Sequence, residues 1–473
     1  MQVLQPFSPA SVDAQVQPLG CVTADELLEL QRAFPQHYPV LLQSAATSQG
    51  HQHDLLMAFP QNQLTLYRSD KLVVPAIIND YRGSSFLDAL DLWWQRESTV
   101  VQSQDWPFSG GWFLYLGYEL AAQIEPSISP AMQSIPSNEN KIVAQAVRFP
   151  SAIVRDAFSG DAHFVAENSA ANEYSLLKSN LEAIRTRPEL KAIRQVVMDL
   201  REEAPQQFLD AVDKALKYIA AGDVYQTNLS RGWSATVCEL VTAQDIYQRL
   251  CAANPAPFAG VAILNGDDVI ISSSPERLIS IRNGQVSTRP IAGTRSRSTD
   301  QRRDAQMIDE LRSNPKEQAE HVMLLDLERN DIGRVCRSGT VHVDEYMTVE
   351  SYAHVHHIVS NVRGELRDDV TPGQAIAAVF PGGTITGCPK VRCMQIIAEL
   401  EHVCRGAYTG SMGYLNRDGS MDLNILIRSL HLHGKQVSFR AGAGIVADSV
   451  AQRELDETRA KALGLIRALG APC

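Results

Sequence analysis

The nine residues Gly110-Gly111-Trp112-Phe113-Leu114-Tyr115-Leu116-Gly117-Tyr118 carry no charge, and aromatics set among glycines suit a strand buried in the protein. A chain of 473 residues is long for one simple core, which points to two or three domains or to two sheets sharing one large enzyme body. The rest of residues 1–165 reads mainly as short strands and turns, as at Gln63-Leu64-Thr65-Leu66-Tyr67. From 166 to 205 the chain turns polar and charged, the composition of a helical connector. Residues 206–473 hold nearly all the dense motifs and form the expected catalytic region.

The balance of 43 basic to 54 acidic residues, net charge −11, offers no electrostatic footprint for nucleic acid or for an anionic membrane. A small-molecule partner is expected instead. Eight cysteines without a C-x-x-C pair predict reduced, mostly buried thiols and neither a disulfide framework nor a zinc site. The start, Met1-Gln2-Val3-Leu4-Gln5-Pro6, lacks a basic segment followed by an apolar one, and no run of about 18 apolar residues occurs. Both features predict a cytoplasmic protein.

Several constellations in the second half are able to carry chemistry. Alternation over Met421–Leu430 predicts one strand with Leu423, Ile425 and Ile427 on one face and Asn424, Leu426 and Arg428 on the other. An inward arginine there needs an anion. Asn314-Pro315 opens a predicted helix on which Glu317 and Glu320 share a face, and Ser449-Val450-Ala451-Gln452 fits a capping box for a second helix carrying Glu454, Glu457 and Lys461. Two such carboxylate pairs suit a hard cation such as Mg²⁺, although either pair alone reads first as a solvated helix face.

The glycine-rich segment Pro381-Gly382-Gly383-Thr384-Ile385-Thr386-Gly387-Cys388-Pro389-Lys390 offers backbone N–H groups to a carboxylate or phosphate, or is simply a tight turn. Ala441-Gly442-Ala443-Gly444 permits close approach of a ligand to backbone. His354 and His356 alternate against His357, an arrangement unsuited to zinc and equally compatible with packed or surface histidines.

Taken in order, Ser274-Pro275-Glu276-Arg277, Arg289-Pro290-Ile291-Ala292-Gly293-Thr294, Glu320-His321 with Asp326-Leu327-Glu328-Arg329-Asn330-Asp331, the Pro381–Lys390 segment and Gly442-Ala443-Gly444-Ile445 resemble the chorismate-utilising enzymes. The set spans about residues 208–465. The Gly-Gly-Thr-Ile-Thr-Gly form of the loop is most similar to the branch that makes 4-amino-4-deoxychorismate. The resemblance implies an α+β fold of two packed, mainly antiparallel β-sheets surrounded by helices, as in anthranilate synthase component I.

By the same resemblance, Glu320 and Glu457 bind Mg²⁺ with Glu317 and Glu454 beside them. Tyr408 and Arg428 grip the enolpyruvyl carboxylate of chorismate with Thr384 and the backbone at Gly442 and Gly444. Arginine suits this task because its planar fork pairs both carboxylate oxygens. Glu276 acts as general acid or base, His357 sits by the ring, and Lys461 lies near the metal-bound carboxylate. Family members that add water have a lysine base where Gln226 stands here, so the resemblance implies ammonia as nucleophile. No G-x-C-x-G elbow is present to make it, which implies a separate glutamine amidotransferase subunit.

Two departures bear on the product. Many members of the aminodeoxychorismate branch have a lysine nucleophile where Ala292 stands, whereas anthranilate synthases and some members of that branch have alanine, so covalent catalysis through this position is excluded. Gln43 and Ala259 replace the glutamate and methionine of the tryptophan-regulated form, implying lost tryptophan control. The expected product is 4-amino-4-deoxychorismate, on the way to 4-aminobenzoate and folate. Anthranilate plus pyruvate is the alternative, and a non-catalytic chorismate-binding paralogue a further one.

Overall fold

Many strands of this chain have no polar face because both faces are covered. In His53–Ala58, Leu56 and Ala58 enter one core while Leu55 and Met57 enter another. In Gly111–Leu116, Trp112, Leu114 and Leu116 face one core, and Phe113 and Tyr115 a second. Successive strand side chains point to opposite faces, so a continuous apolar run needs a layer on each side. The computed structural model describes residues 14–45, 53–99, 106–136, 138–168, 172–187, 196–298, 300–351 and 355–470.

Among these residues the layers are two antiparallel sheets, of 12 and 11 strands, with helices outside them. In the first, neighbours run Val40–Gln43, Phe258–Ile263, Asp268–Ser274, Ser429–His433, Gln436–Ile445 and Gln226–Val237. In the second they run Ile291–Ser296, Val355–Glu365, Gln285–Arg289, Arg277–Arg282, Met421–Asn424, Ser411–Asn416 and Gly111–Leu116. Both sheets draw strands from both sides of the 166–205 segment, which itself supplies the helix Glu173–Arg185 and the edge strand Val197–Glu202. Leu55, Met57 and Ile270 of the first sheet meet Phe113 and Tyr115 of the second in a shared core. Burying each such side chain contributes about 1.5–3 kcal/mol.

The predicted single strand over 421–430 is two strands. Met421–Asn424 belongs to the second sheet and Ser429–His433 to the first, so the chain changes sheets between them. Across the gap, the Ile425 amide donates to the Glu276 carbonyl and the Leu426 amide to that of Gly410. Arg428 makes the final bend with φ +52, and its placement owes nothing to strand alternation.

The expected capping box at Ser449 is likewise absent. The helix is Ala451–Ala468 with Val450 as N-cap, and the Ser449 hydroxyl instead accepts from the Val446 amide at 3.1 Å. The cysteines were expected to be mostly buried, but of the seven described only Cys336 and Cys393 are. Among the described residues no helix is long and apolar enough to cross a membrane.

Candidate active site

The floor of the site is a glycine-lined stretch of the first sheet. Strands Gln226–Val237 and Gln436–Ile445 pair so that Asn228 opposes Gly444 and Ser230 opposes Gly442. A Cβ on Gly442 would lie 2.5 Å from the Tyr408 hydroxyl and 2.7 Å from Asn228 Oδ1, and one on Gly444 would lie 2.4 Å from Gln226 Nε2. Side chains at these two positions would fill the space that Tyr408, Asn228 and Gln226 occupy over the backbone. From the Ala451–Ala468 helix, Lys461 donates to the Gly442 carbonyl at 3.0 Å.

Four polar atoms around this floor are buried without hydrogen bonds inside the chain: Gln226 Oε1, Asn228 Oδ1, Glu276 Oε1 and Thr384 Oγ1. Buried polar atoms are nearly always satisfied, so these four call for partners from outside the chain, water or a polar ligand.

Glu276 follows the strand Asp268–Ser274 and is 5% exposed. Burial pushes its carboxyl up to about 7, opposed by the neighbouring Thr384 hydroxyl, the Ile291 amide and the positive charges of Lys461 and Arg428. The Thr384 hydroxyl lies beside the carboxyl without a hydrogen bond of good geometry to it. Glu276 thus exchanges its proton near neutrality, as an acid–base group must.

Arg428 donates to Asn254 Oδ1 at 3.3 Å. Burial lowers its pKa, and the charge of Glu276 works the other way. A non-glycine residue in the left-handed region costs on the order of 1–3 kcal/mol and is concentrated at functional sites. Burial and the charge of Arg428 press His357 down to about 3, so its ring is neutral at pH 7, beside the Gly293 backbone. His356 lies elsewhere, between Ser351 and Asp304, and His354 falls outside the described residues. Tyr408, pushed up to about 12 by burial, is a neutral phenol; its ring lies 5.5 Å from the Arg405 guanidinium, which Glu401 holds at 2.6 Å.

Ala292 lies in the strand Ile291–Ser296 opposite Ile358 and brings only a methyl group. Of the four expected metal ligands, Glu317 and Glu320 lie on the helix Pro315–Gly333, and Glu454 and Glu457 on Ala451–Ala468. Glu317 is paired with Arg295 at 3.1 Å and Glu457 with Lys461 at 2.8 Å, while Glu454 is buried. Among the described residues, no three His, Cys, Asp or Glu side chains converge as a metal cage. The all-carboxylate donor set fits a hard cation such as Mg²⁺ in ligand type, with two of the four groups now answered by cationic side chains.

Away from this site, Gln43 and Ala259 are register partners on adjacent strands. They line a separate cavity of about 380 Å³ together with Ser44, Phe258, Met412 and Asp422. Sequence reading missed Asn228 and Asn254. Alternation from Gln226 along its strand would have flagged Asn228; Asn254 reaches Arg428 across 174 positions and has no local signature.

Comparison with known proteins agrees with the two-sheet fold. Over 263 residues the chain is 50% identical to aminodeoxychorismate synthase component 1 of Bacillus subtilis (strain 168), covering 55% of each chain. It therefore spans about half the length of that relative. Over 378 residues it is 38% identical to anthranilate synthase component 1 of Aquifex aeolicus (strain VF5), covering 76% of this chain and 74% of the other. The crystal structure of anthranilate synthase component I from Streptococcus pneumoniae TIGR4 superposes with a TM-score of 0.74 at 31% identity, over 89% of this chain and 93% of that one. With residues 40–467 matching the family of chorismate binding enzymes as well, this chain belongs to that family.

Proposed function

We propose that this chain converts chorismate and ammonia to 4-amino-4-deoxychorismate with Mg²⁺, the ammonia coming from a separate glutaminase subunit. The observation that carries the chemistry is Glu276, a buried carboxyl near pKa 7 flanked by Arg428, Lys461 and Thr384. Arg428 and the Tyr408 phenol would hold the enolpyruvyl carboxylate against the bare backbone at Gly442 and Gly444. Protonated Glu276 would deliver its proton to the hydroxyl leaving C4, which departs as water. The ionised carboxylate would then take a proton from the incoming ammonium centre, which restores the acid.

Glu317, Glu320, Glu454 and Glu457 would hold Mg²⁺, which when bound neutralises the ring carboxylate and polarises the departing hydroxyl. Gln226 supports amination over hydration, since an amide cannot take a proton from water. Neutral His357 would pack by the ring without adding charge.

The second reading is anthranilate formation, favoured by the methyl of Ala292 and by relatives that bear that name. Product analysis with chorismate, Mg²⁺ and ammonium, with and without added aminodeoxychorismate lyase, separates them. Lyase-dependent 4-aminobenzoate supports the first reading, and lyase-independent anthranilate replaces it with the second. Tight Mg²⁺-dependent chorismate binding without turnover would mean a non-catalytic paralogue.

A further inference from the structure

The helix Pro315–Gly333 carries another buried carboxyl that the reading above leaves unused. Glu328 is 6% exposed, and a methyl group added at Gly383 would lie 3.5 Å from its Oε1 and 2.3 Å from Leu327 Cδ2. Leu327 and Glu328 therefore back the turn that presents Thr384 to Glu276. One turn further along the helix, Asp331 takes Lys390 in a buried ion pair at 2.5 Å, and Lys390 also donates to the Val379 carbonyl at 3.3 Å. Two carboxyl groups thus share one cation, which is already committed to Asp331. Thr288 from the neighbouring strand lies beside Glu328, and the charge of Glu276 reaches it as well.

We infer that Glu328 is a positioning residue of this site, an uncharged carboxylic acid wedged behind the Gly383–Thr384 turn whose ionisation disables the turn. Burial, then Asp331, then Glu276 push its proton affinity up, and Lys390 and Thr288 oppose them only in part, leaving it well above the ordinary carboxylate range. The inference rests on the proposed role of Glu276 and Thr384 but not on which product forms.

The test is chorismate consumption at fixed free ammonia, followed as kcat/KM against pH, whatever the product. In the unaltered protein two groups, Glu276 and Glu328, must stay protonated. The alkaline limb should then approach a hundredfold fall per pH unit, and Glu328→Gln should fall only about tenfold per unit. Glu328→Ala should raise KM for chorismate at every pH, with Glu328→Gln restoring it at pH values below about 7. Identical alkaline limbs in the unaltered protein and Glu328→Gln would overturn the inference, as would a Glu328→Gln variant as poor as Glu328→Ala throughout. If no turnover occurs, the functional reading fails by itself and thermal stability against pH decides the matter. Glu328→Gln should then be the more stable protein at alkaline pH, and superimposable curves would refute the role.

Discussion

Lys461 Nζ lies 2.8 Å from a Glu457 carboxylate oxygen, one turn apart on the last helix, while it also donates to the Gly442 carbonyl. One lysine thereby ties a proposed metal ligand to the backbone of the proposed carboxylate cradle. Both side chains are about half exposed, so the pair adds little to folding, about 0.2–1 kcal/mol for such contacts.

Glu457→Ala should therefore melt within a degree or two of the unaltered protein. It should nevertheless abolish Mg²⁺-dependent turnover, and Glu320→Ala, on the other helix, should do the same. Full activity in both variants would remove the metal assignment. Turnover titrated with Mg²⁺, set beside thermal melts of the same samples, separates loss of function from loss of fold.

Glu276 should leave two opposite signatures in pH. Its carboxyl ionises near 7 when folded, against an ordinary value of 4.5, so the folded state holds the proton more tightly than the unfolded state does. Stability from this group is whole below about pH 4.5, falls as pH rises toward 7, and stays reduced above. Replacement by the uncharged isostere, Glu276→Gln, should remove that loss, raising stability at pH 8 by up to about 3 kcal/mol. The same variant should lose turnover, because the amide has no proton to give. If Glu276→Gln melted no higher than the unaltered protein at pH 8, the raised affinity for the proton would be wrong.

The glycine floor was legible in Ala441-Gly442-Ala443-Gly444, since missing side chains announce close approach whatever the surroundings. Buried strands were legible for a related reason: Trp112 to Leu116 has no polar position to spare for water. Arg428 was assigned a reasonable task on the wrong geometry, for alternation cannot reveal that a chain leaves one sheet at Asn424 and joins another at Ser429. The proton affinity of Glu276 could not be read at all. It depends on burial in the folded protein, which raises it, and on Thr384, Ile291, Arg428 and Lys461, which converge from separate segments to oppose that rise. The serine before the last helix was misread because its hydroxyl serves the preceding turn and not the helix.

Gly442→Ala tests the close approach directly. The new methyl would lie 2.5 Å from the Tyr408 hydroxyl and 2.7 Å from both Asn228 Oδ1 and the Leu229 carbonyl oxygen. The last contact is backbone of the paired strand and cannot swing away, so overpacking should cost about 1–3 kcal/mol. Beyond that cost, the substrate cradle would be narrowed, and KM for chorismate should rise more than kcat falls. A thermal melt and a full kinetic profile check both parts, and unchanged KM would place the substrate elsewhere.

The cavity that Gln43 and Ala259 help to line bears on regulation. Its volume of about 380 Å³ is ample for an amino acid, so any loss of tryptophan control must come from the lining and not from a collapsed pocket. Gln43 is neutral and cannot form the ion pair that a carboxylate would make with a bound ammonium group, a charge-assisted contact worth about 1.5–3 kcal/mol. Ala259 leaves open the volume that a longer side chain would fill against an indole. Tryptophan at millimolar concentration should neither slow chorismate consumption nor raise the melting temperature. Gln43→Glu should restore some binding, seen as a tryptophan-dependent thermal shift. Strong inhibition of the unaltered protein by tryptophan would mean that other residues of the cavity, such as Ser44 or Asp422, hold the amino group instead.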